Sequence, residues 1–239
     1  MSTPEQIKQA VRDHYARAAS GSACSCGASP RKDLPGALGP ALGCGSPLSY
    51  ADLRPGEVVV DLGSGAGLDA LRAARRVGPQ GRVLGVDMTP EMVALARSNA
   101  ATLGVANAHF FVGEIESLPL ADGSADVLLS NCVINLVPDK RRAFQEAYRV
   151  LRPGGRLVVS DVVAAGPLSS EVRGDLAAWS ACVAGALPLQ DYLEALRPAG
   201  FEAVEVMASE DPCCETAAPV RSVTVRARRP AAPSLLQSP

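Results

Sequence analysis

The run Val58-Val59-Val60-Asp61-Leu62 passes directly into Gly63-Ser64-Gly65-Ala66-Gly67 and from there into the amphipathic stretch 68–77. So short an apolar run reads as a buried strand, and glycines permit the positive φ of a tight strand-to-helix turn and a close approach of ligand to backbone. The rhythm repeats downstream. Arg82 to Val86, Ala108 to Val112, Ala125 to Ser130 and Arg156 to Asp161 are further short runs rich in Val and Leu, and they read as buried parallel strands. Between them, 90–103 and 139–150 read as helices, opened by Thr89-Pro90-Glu91 and Pro138-Asp139. Strand alternating with helix predicts a doubly wound α/β sheet with right-handed crossovers.

The flanks read differently. Residues 4–18 carry Ile7, Ala10, Val11, Tyr15 and Ala18 at helical spacing, with Thr3-Pro4 as cap and first turn, so an amphipathic lead helix is expected. From Ser20 to Tyr50 the period fails, and a long loop or small subdomain is expected. After Ala164 come helical segments around 169–180 and 189–197, then closing strands near 201–207 and 220–228. The expected division is 1–50 as N-terminal helix and cysteine-containing cap, 51–165 as the ligand-binding α/β domain, 166–229 as the segment completing the sheet and substrate site, and 230–239 as a flexible tail.

Composition narrows the function. Among 239 residues, Lys+Arg 23 against Asp+Glu 25 gives a net charge of −2, with no basic excess for a nucleic acid or an anionic membrane surface. Leu176 to Gln190, the longest uncharged stretch of apolar character, is too short to span a bilayer, and Met1-Ser2-Thr3-Pro4-Glu5 lacks the regions of a signal peptide. The expectation is a soluble cytoplasmic protein. Seven cysteines are many for a reducing compartment, which raises a thiol function. Only two histidines, His14 and His109, are present to serve as an imidazole base.

Asp87 ends the strand after the glycine turn, where a carboxylate can accept hydrogen bonds from both hydroxyls of a ribose. Gly113-Glu114-Ile115 follows the third strand, with an acidic and an apolar side chain placed to flank an adenine. The turn runs G-x-G-x-G rather than G-x-G-x-x-G, so the dinucleotide fingerprint is not met. With Asp61 before it, the turn resembles motif I of the class I S-adenosylmethionine methyltransferases. Leu151-Arg152-Pro153-Gly154-Gly155 is similar to the turn that enters their fifth strand. The resemblance implies a mostly parallel seven-stranded sheet whose last strand is antiparallel. It implies S-adenosyl-L-methionine as cofactor, held in 51–165.

Cys132, in Ser130-Asn131-Cys132-Val133-Ile134-Asn135-Leu136, follows the fourth strand and so lies outside the carboxyl end of the sheet, where ligands bind in such folds. Cys44, in Gly43-Cys44-Gly45-Ser46-Pro47, and Cys182, in Cys182-Val183-Ala184-Gly185-Ala186, can reach the same rim. A single buried cysteine is more often an inert small hydrophobe, but three on one rim are not. At these residues the chain resembles the arsenite methyltransferases, in which the matching cysteines hold trivalent arsenic. The resemblance implies Cys44, Cys132 and Cys182 as catalytic thiolates and As(III) ligands. It implies Tyr15, Asp61, Gly63, Ser64, Gly65, Gly67, Asp87, Met88, Glu114, Ile115 and Asn131 as cofactor-binding residues. A thiol reductant, thioredoxin or glutathione, is expected as co-substrate and partner, and the chain is expected to be a monomer.

The chemistry agrees. Soft, pyramidal As(III) is satisfied by three thiolates and keeps a lone pair that needs no general base to become a nucleophile. Cys24 and Cys26 are accessory thiol candidates, and Cys213-Cys214 is either a vicinal arsenite-binding pair or a spectator. Zinc is a minor alternative, since neither pair has the C-x2-4-C spacing of a zinc knuckle. Asp61 either caps the turn or touches cofactor, and Asn131 either contacts the cofactor or braces the strand end. Trp179 and Tyr192 are expected as core anchors. Two other functions compete: a methyltransferase of a small organic acceptor, with Cys132 as a wall, and a non-catalytic arsenic or thiol binder.

Overall fold

A computed structural model describes residues 2–21, 33–40, 42–210 and 219–232. Cys24, Cys26, Cys213, Cys214 and most of the expected tail lie outside the described residues.

Seven strands form one sheet in the order β3-β2-β1-β4-β5-β7-β6. They are β1 (Val58–Leu62), β2 (Arg82–Asp87), β3 (Ala108–Val112), β4 (Ala125–Asn131), β5 (Leu151–Ala164), β6 (Glu202–Glu210) and β7 (Val220–Arg228). The first five pair in parallel, and β7 runs antiparallel to both β5 and β6. The doubly wound sheet with an antiparallel last strand is therefore borne out.

Period-two alternation divides the core. Val60, Leu62, Leu128, Leu157 and Val159 face one side with Phe144 and Ala147 of α4 (Lys140–Val150) and Tyr192 and Leu196 of α7 (Leu189–Leu196). Val59, Val127, Leu129 and Val158 face the other side with Leu71 and Ala74 of α2 (Leu68–Val77) and Val93 and Ala96 of α3 (Pro90–Thr102). Each fully buried Leu or Phe here contributes about 1.5–3 kcal/mol, which fixes both helix layers and hence the strand ends between them.

A third apolar cluster covers the carboxyl edge of the sheet. Ile7 and Val11 of α1 (Pro4–Ala19) pack there with Cys44, Cys182, Val162 and Val220. The lead helix is borne out: the Thr3 side chain accepts from Gln6 N–H while the Gln6 side chain accepts from Thr3 N–H. Asp139 caps α4 through Arg142 N–H.

Three expectations change. The fifth strand starts at Leu151 rather than Arg156, because Ala125 pairs with Leu151 and Val127 with Arg156, leaving Pro153-Gly154-Gly155 as an irregularity within one strand. The helix expected around 169–180 is two, α5 (Ser170–Gly174) and α6 (Leu176–Ser180), broken where Gly174 ends one and Asp175 caps the next through Ala177 N–H. Finally, β3 is an edge strand with His109, Phe111 and Val112 exposed, so it is not buried on both faces. No described helix is long and apolar enough to cross a membrane.

Candidate functional site

A cavity of about 440 Å³ opens at the carboxyl edge of the sheet beneath α1, a volume in the range of small-molecule sites. One half is built by the ends of β1, β2 and β3. Gly63, Ser64, Gly65, Asp87, Met88, Gly113, Glu114 and Ile115 line it. The Asp87 carboxylate accepts from Gly65 N–H and Thr89 N–H, both at 2.9 Å, which ties the glycine turn to the end of β2. Burial raises the Asp87 carboxyl's pKa, and these bonds oppose the shift. The Ser64 hydroxyl is buried against the cavity and finds no hydrogen-bond partner among the described residues. An orphaned donor beside an open glycine turn fits a polar ligand.

Gly67 does not line the cavity. It holds φ 83° at the start of α2, where a Cβ would lie 2.8 Å from the Phe110 ring, so its role is the close packing of the turn on β3. Asp61 does line it, and it also accepts from Ala70 N–H, so it caps α2 rather than the glycine turn. Burial, followed by the nearby Asp69 and Asp87 charges, holds the Asp61 carboxyl well above the usual carboxylate range.

The lead helix closes the cavity from above with Lys8, Val11, His14 and Tyr15. Lys8 Nζ pairs with Glu114 at 2.7 Å and Glu116 at 2.6 Å, fastening α1 to the loop after β3. Tyr15 bridges the two halves: burial, then the nearby Cys182 and Cys132 thiols and the Asp87 carboxylate, hold its hydroxyl well above the usual range.

The other half holds the thiols. Cys44, Cys132 and Cys182 are free and all line the cavity. The Cys182 and Cys44 thiols beside Cys132, together with burial, hold its thiol well above the usual range. The Cys44 and Cys132 sulfurs lie with a carboxylate oxygen of Asp161 in a group whose atoms are all within 4.8 Å of one another; Cys182 is outside that group.

Asn131 explains how Cys44 reaches the rim. Its Oδ1 accepts from Cys44 N–H at 3.1 Å, and its Nδ2 donates to the Gly45 carbonyl and to Asp69, both at 3.0 Å. Gly43 makes room, since a Cβ there would stand 2.6 Å from the Asn131 amide nitrogen. Asn131 lines the cavity, but the described bonds of its amide brace the Cys44 loop.

Three groups carry no mark in the sequence: Asp69, Asp161 and Lys140. Asp69 lines the cavity and anchors Asn131. His14 reaches the cavity from α1, whereas His109 is exposed on the edge strand. Asp161, fully buried behind Cys44 and Cys132, accepts from Asn135 N–H, Val162 N–H and the Tyr192 hydroxyl. Burial pushes its carboxyl up to about 7. Nearby Lys140, pushed down by burial to about 8, donates to the Asn135 and Val137 carbonyls and lies 5.4 Å from the Trp179 ring centroid. Trp179 is thus partly exposed beside the thiols, whereas Tyr192 is the expected core anchor. An aspartate inside the apolar run Val158–Val163 was the available signal, because a buried carboxylate needs partners.

Residues 53–208 match the model of a family described as a methyltransferase domain. The arsenite methyltransferase of Halobacterium salinarum is 52% identical over 170 residues, covering 71% of this chain and 44% of that protein. The human arsenite methyltransferase is 40% identical over 152 residues, covering 60% of this chain and 40% of its own length. The chain thus spans less than half the length of these curated relatives. The crystal structure of an arsenic(III) S-adenosylmethionine methyltransferase from Chlamydomonas reinhardtii superposes with a TM-score of 0.71 at 35% identity, covering 95% of this chain and 75% of that one. With the matched domain, the sheet order and these relatives in agreement, the chain belongs to the methyltransferase-domain family, among its arsenite methyltransferases.

Proposed function

We propose that this protein transfers a methyl group from S-adenosyl-L-methionine to trivalent arsenic held by Cys44, Cys132 and Cys182. The observation that carries the reading is that three thiols from separate segments meet on the wall of the same cavity that the glycine turn and Asp87 line. The orphaned Ser64 hydroxyl and the open glycine turn fit the cofactor, with Asp87 toward the ribose, Met88, Glu114 and Ile115 around the adenine, and Tyr15 over the methionine portion. When bound, S-adenosyl-L-methionine supplies an electrophilic sulfonium methyl, and the arsenic lone pair, directed away from three sulfurs, is the nucleophile.

The residues of the chain orient the substrate and exclude water. Each arsenic–sulfur bond forms as a thiol proton leaves with an arsenic-bound hydroxyl as water. Cys132, whose thiol is held above the usual range by Cys182 and Cys44, gives up its proton as arsenite binds. Tyr15 and α1 cover the reacting atoms, and Asn131 fixes the Cys44 loop. In the same reading 1–50 is a cap, 51–165 holds cofactor, and 166–229 completes the substrate site. A reduced thiol pool in the cytoplasm, thioredoxin or glutathione, keeps the cysteines active in a monomer, and the role is arsenic detoxification. Cys24 or Cys26 hands over arsenic from a carrier thiol.

The test is incubation of the purified chain with cofactor, reductant and arsenite, followed by arsenic speciation. Methylarsenicals that depend on cofactor are expected. Cofactor turnover with a small organic acceptor that is indifferent to arsenite would replace this reading with the competing one.

A further inference from the structure

We propose that Cys44, Cys132 and Asp161 form a binding site for a thiophilic divalent cation of the zinc and cadmium class, overlapping the arsenic site but using a different donor set. The three donor atoms already lie within 4.8 Å of one another. Tetrahedral coordination with zinc–sulfur and zinc–oxygen bonds near 2.3 and 2.0 Å places donors roughly 3.5–3.8 Å apart, so the group need contract by no more than about 1.3 Å. Cys182, whose thiol donates to the Cys132 carbonyl, is outside this group.

Asp161 is what the methyl-transfer chemistry leaves unused. Pyramidal arsenic takes three sulfurs and fills its fourth direction with a lone pair, so it has no use for a carboxylate. A divalent d10 cation takes four donors and admits a carboxylate oxygen beside thiolate sulfur. Asp161 is held in place by Asn135 N–H, Val162 N–H and the Tyr192 hydroxyl, on a strand next to β4, which ends just before Cys132. The knuckle spacing sought in the sequence could not disclose this site, because its donors come from the loop before β1 and the ends of β4 and β5.

The consequence is mutual exclusion, since both ions need Cys44 and Cys132. The site is independent of whether methyl transfer occurs, and binding alone tests it. Cadmium is titrated into the full chain carrying Cys24→Ser, Cys26→Ser, Cys213→Ser and Cys214→Ser, and thiolate-to-cadmium absorption is read. One equivalent is expected to bind and to be displaced by arsenite. Asp161→Asn is expected to weaken cadmium by about tenfold or more while changing arsenite affinity by less than about threefold. Cadmium and arsenite bound together, or equal cadmium affinity in Asp161→Asn, would overturn the proposal. Should that variant not fold, zinc X-ray absorption on the unsubstituted Asp161 protein decides: two sulfur neighbours with oxygen completing the shell support the site, and three or more sulfurs, or oxygen alone, refute it.

Discussion

The Cys182 thiol donates to the Cys132 carbonyl oxygen at 3.1 Å, and both residues hold a φ of 61°. Among the described residues only two other non-glycines, Asp52 and Ala203, have positive φ. The left-handed region costs an L-residue about 1–2 kcal/mol, and such strain persists where the surroundings impose it. Here it aims two sulfurs from different segments at one cavity wall. Cys182→Gly should therefore be more stable than Cys182→Ala by about 1 kcal/mol, read by urea unfolding. Equal stability would mean that the backbone at Cys182 is not strained.

The Asn131 amide holds the Cys44 loop through two bonds, to Cys44 N–H and the Gly45 carbonyl, and is itself anchored to Asp69 of α2. Asn131→Ala leaves the Cys44 N–H without its acceptor, a loss of about 1–3 kcal/mol for a buried group. The variant should lose arsenite kcat/KM by about tenfold or more while cofactor affinity changes much less. A rise confined to the cofactor KM would assign Asn131 to the cofactor instead. Steady-state kinetics with each substrate varied in turn separates the two.

Lys8 holds α1 to Glu114 and Glu116 across the mouth of the cavity. Partly exposed ion pairs are worth at most about 1 kcal/mol, so Lys8→Met should weaken cofactor binding by roughly two- to fivefold with kcat nearly unchanged. Added salt should weaken cofactor binding to the parent protein but have less effect on the variant. Calorimetric titration at low and high ionic strength reads this directly.

Burial pushes the Asp161 carboxyl up to about 7, against the Val162 N–H, Lys140, the Asn135 N–H and the Tyr192 hydroxyl. Its unfolded value is near 4, so between about pH 4 and 7 the folded chain keeps a proton that the unfolded chain releases. That stabilisation is complete below pH 4 and is lost as pH rises through 7. Asp61 and Asp87, also raised, act in the same direction. The melting temperature without ligand should fall from pH 5 to pH 8, and Asp161→Asn should reduce the slope. An unchanged slope would remove Asp161 from this role.

What the sequence discloses is what lies in short, contiguous patterns. Val58–Leu62 with its glycine turn, Asp87 at the end of β2 and Cys132 at the end of β4 each announce their place by following a valine- or leucine-rich run. The edge exposure of β3 is invisible there, because an apolar run does not say whether a second neighbour covers it. The extension of β5 back to Leu151 depends on pairing with β4, a non-local contact. Asp161 is hidden in the opposite way: it sits within an apolar strand, and its proximity to Cys44 arises only when the loop before β1 folds over the sheet edge. The positive φ of Cys132 and Cys182 has no residue signal, since cysteine is not a residue that favours it.

Arsenic X-ray absorption on the arsenite-loaded protein, read beside methylation in the same samples, tests the central claim most directly. Three sulfur neighbours are predicted in the unsubstituted protein. Cys132→Ser should lower the sulfur count and abolish methylarsenical formation. Full methylation by Cys132→Ser with an unchanged arsenic environment would contradict the account.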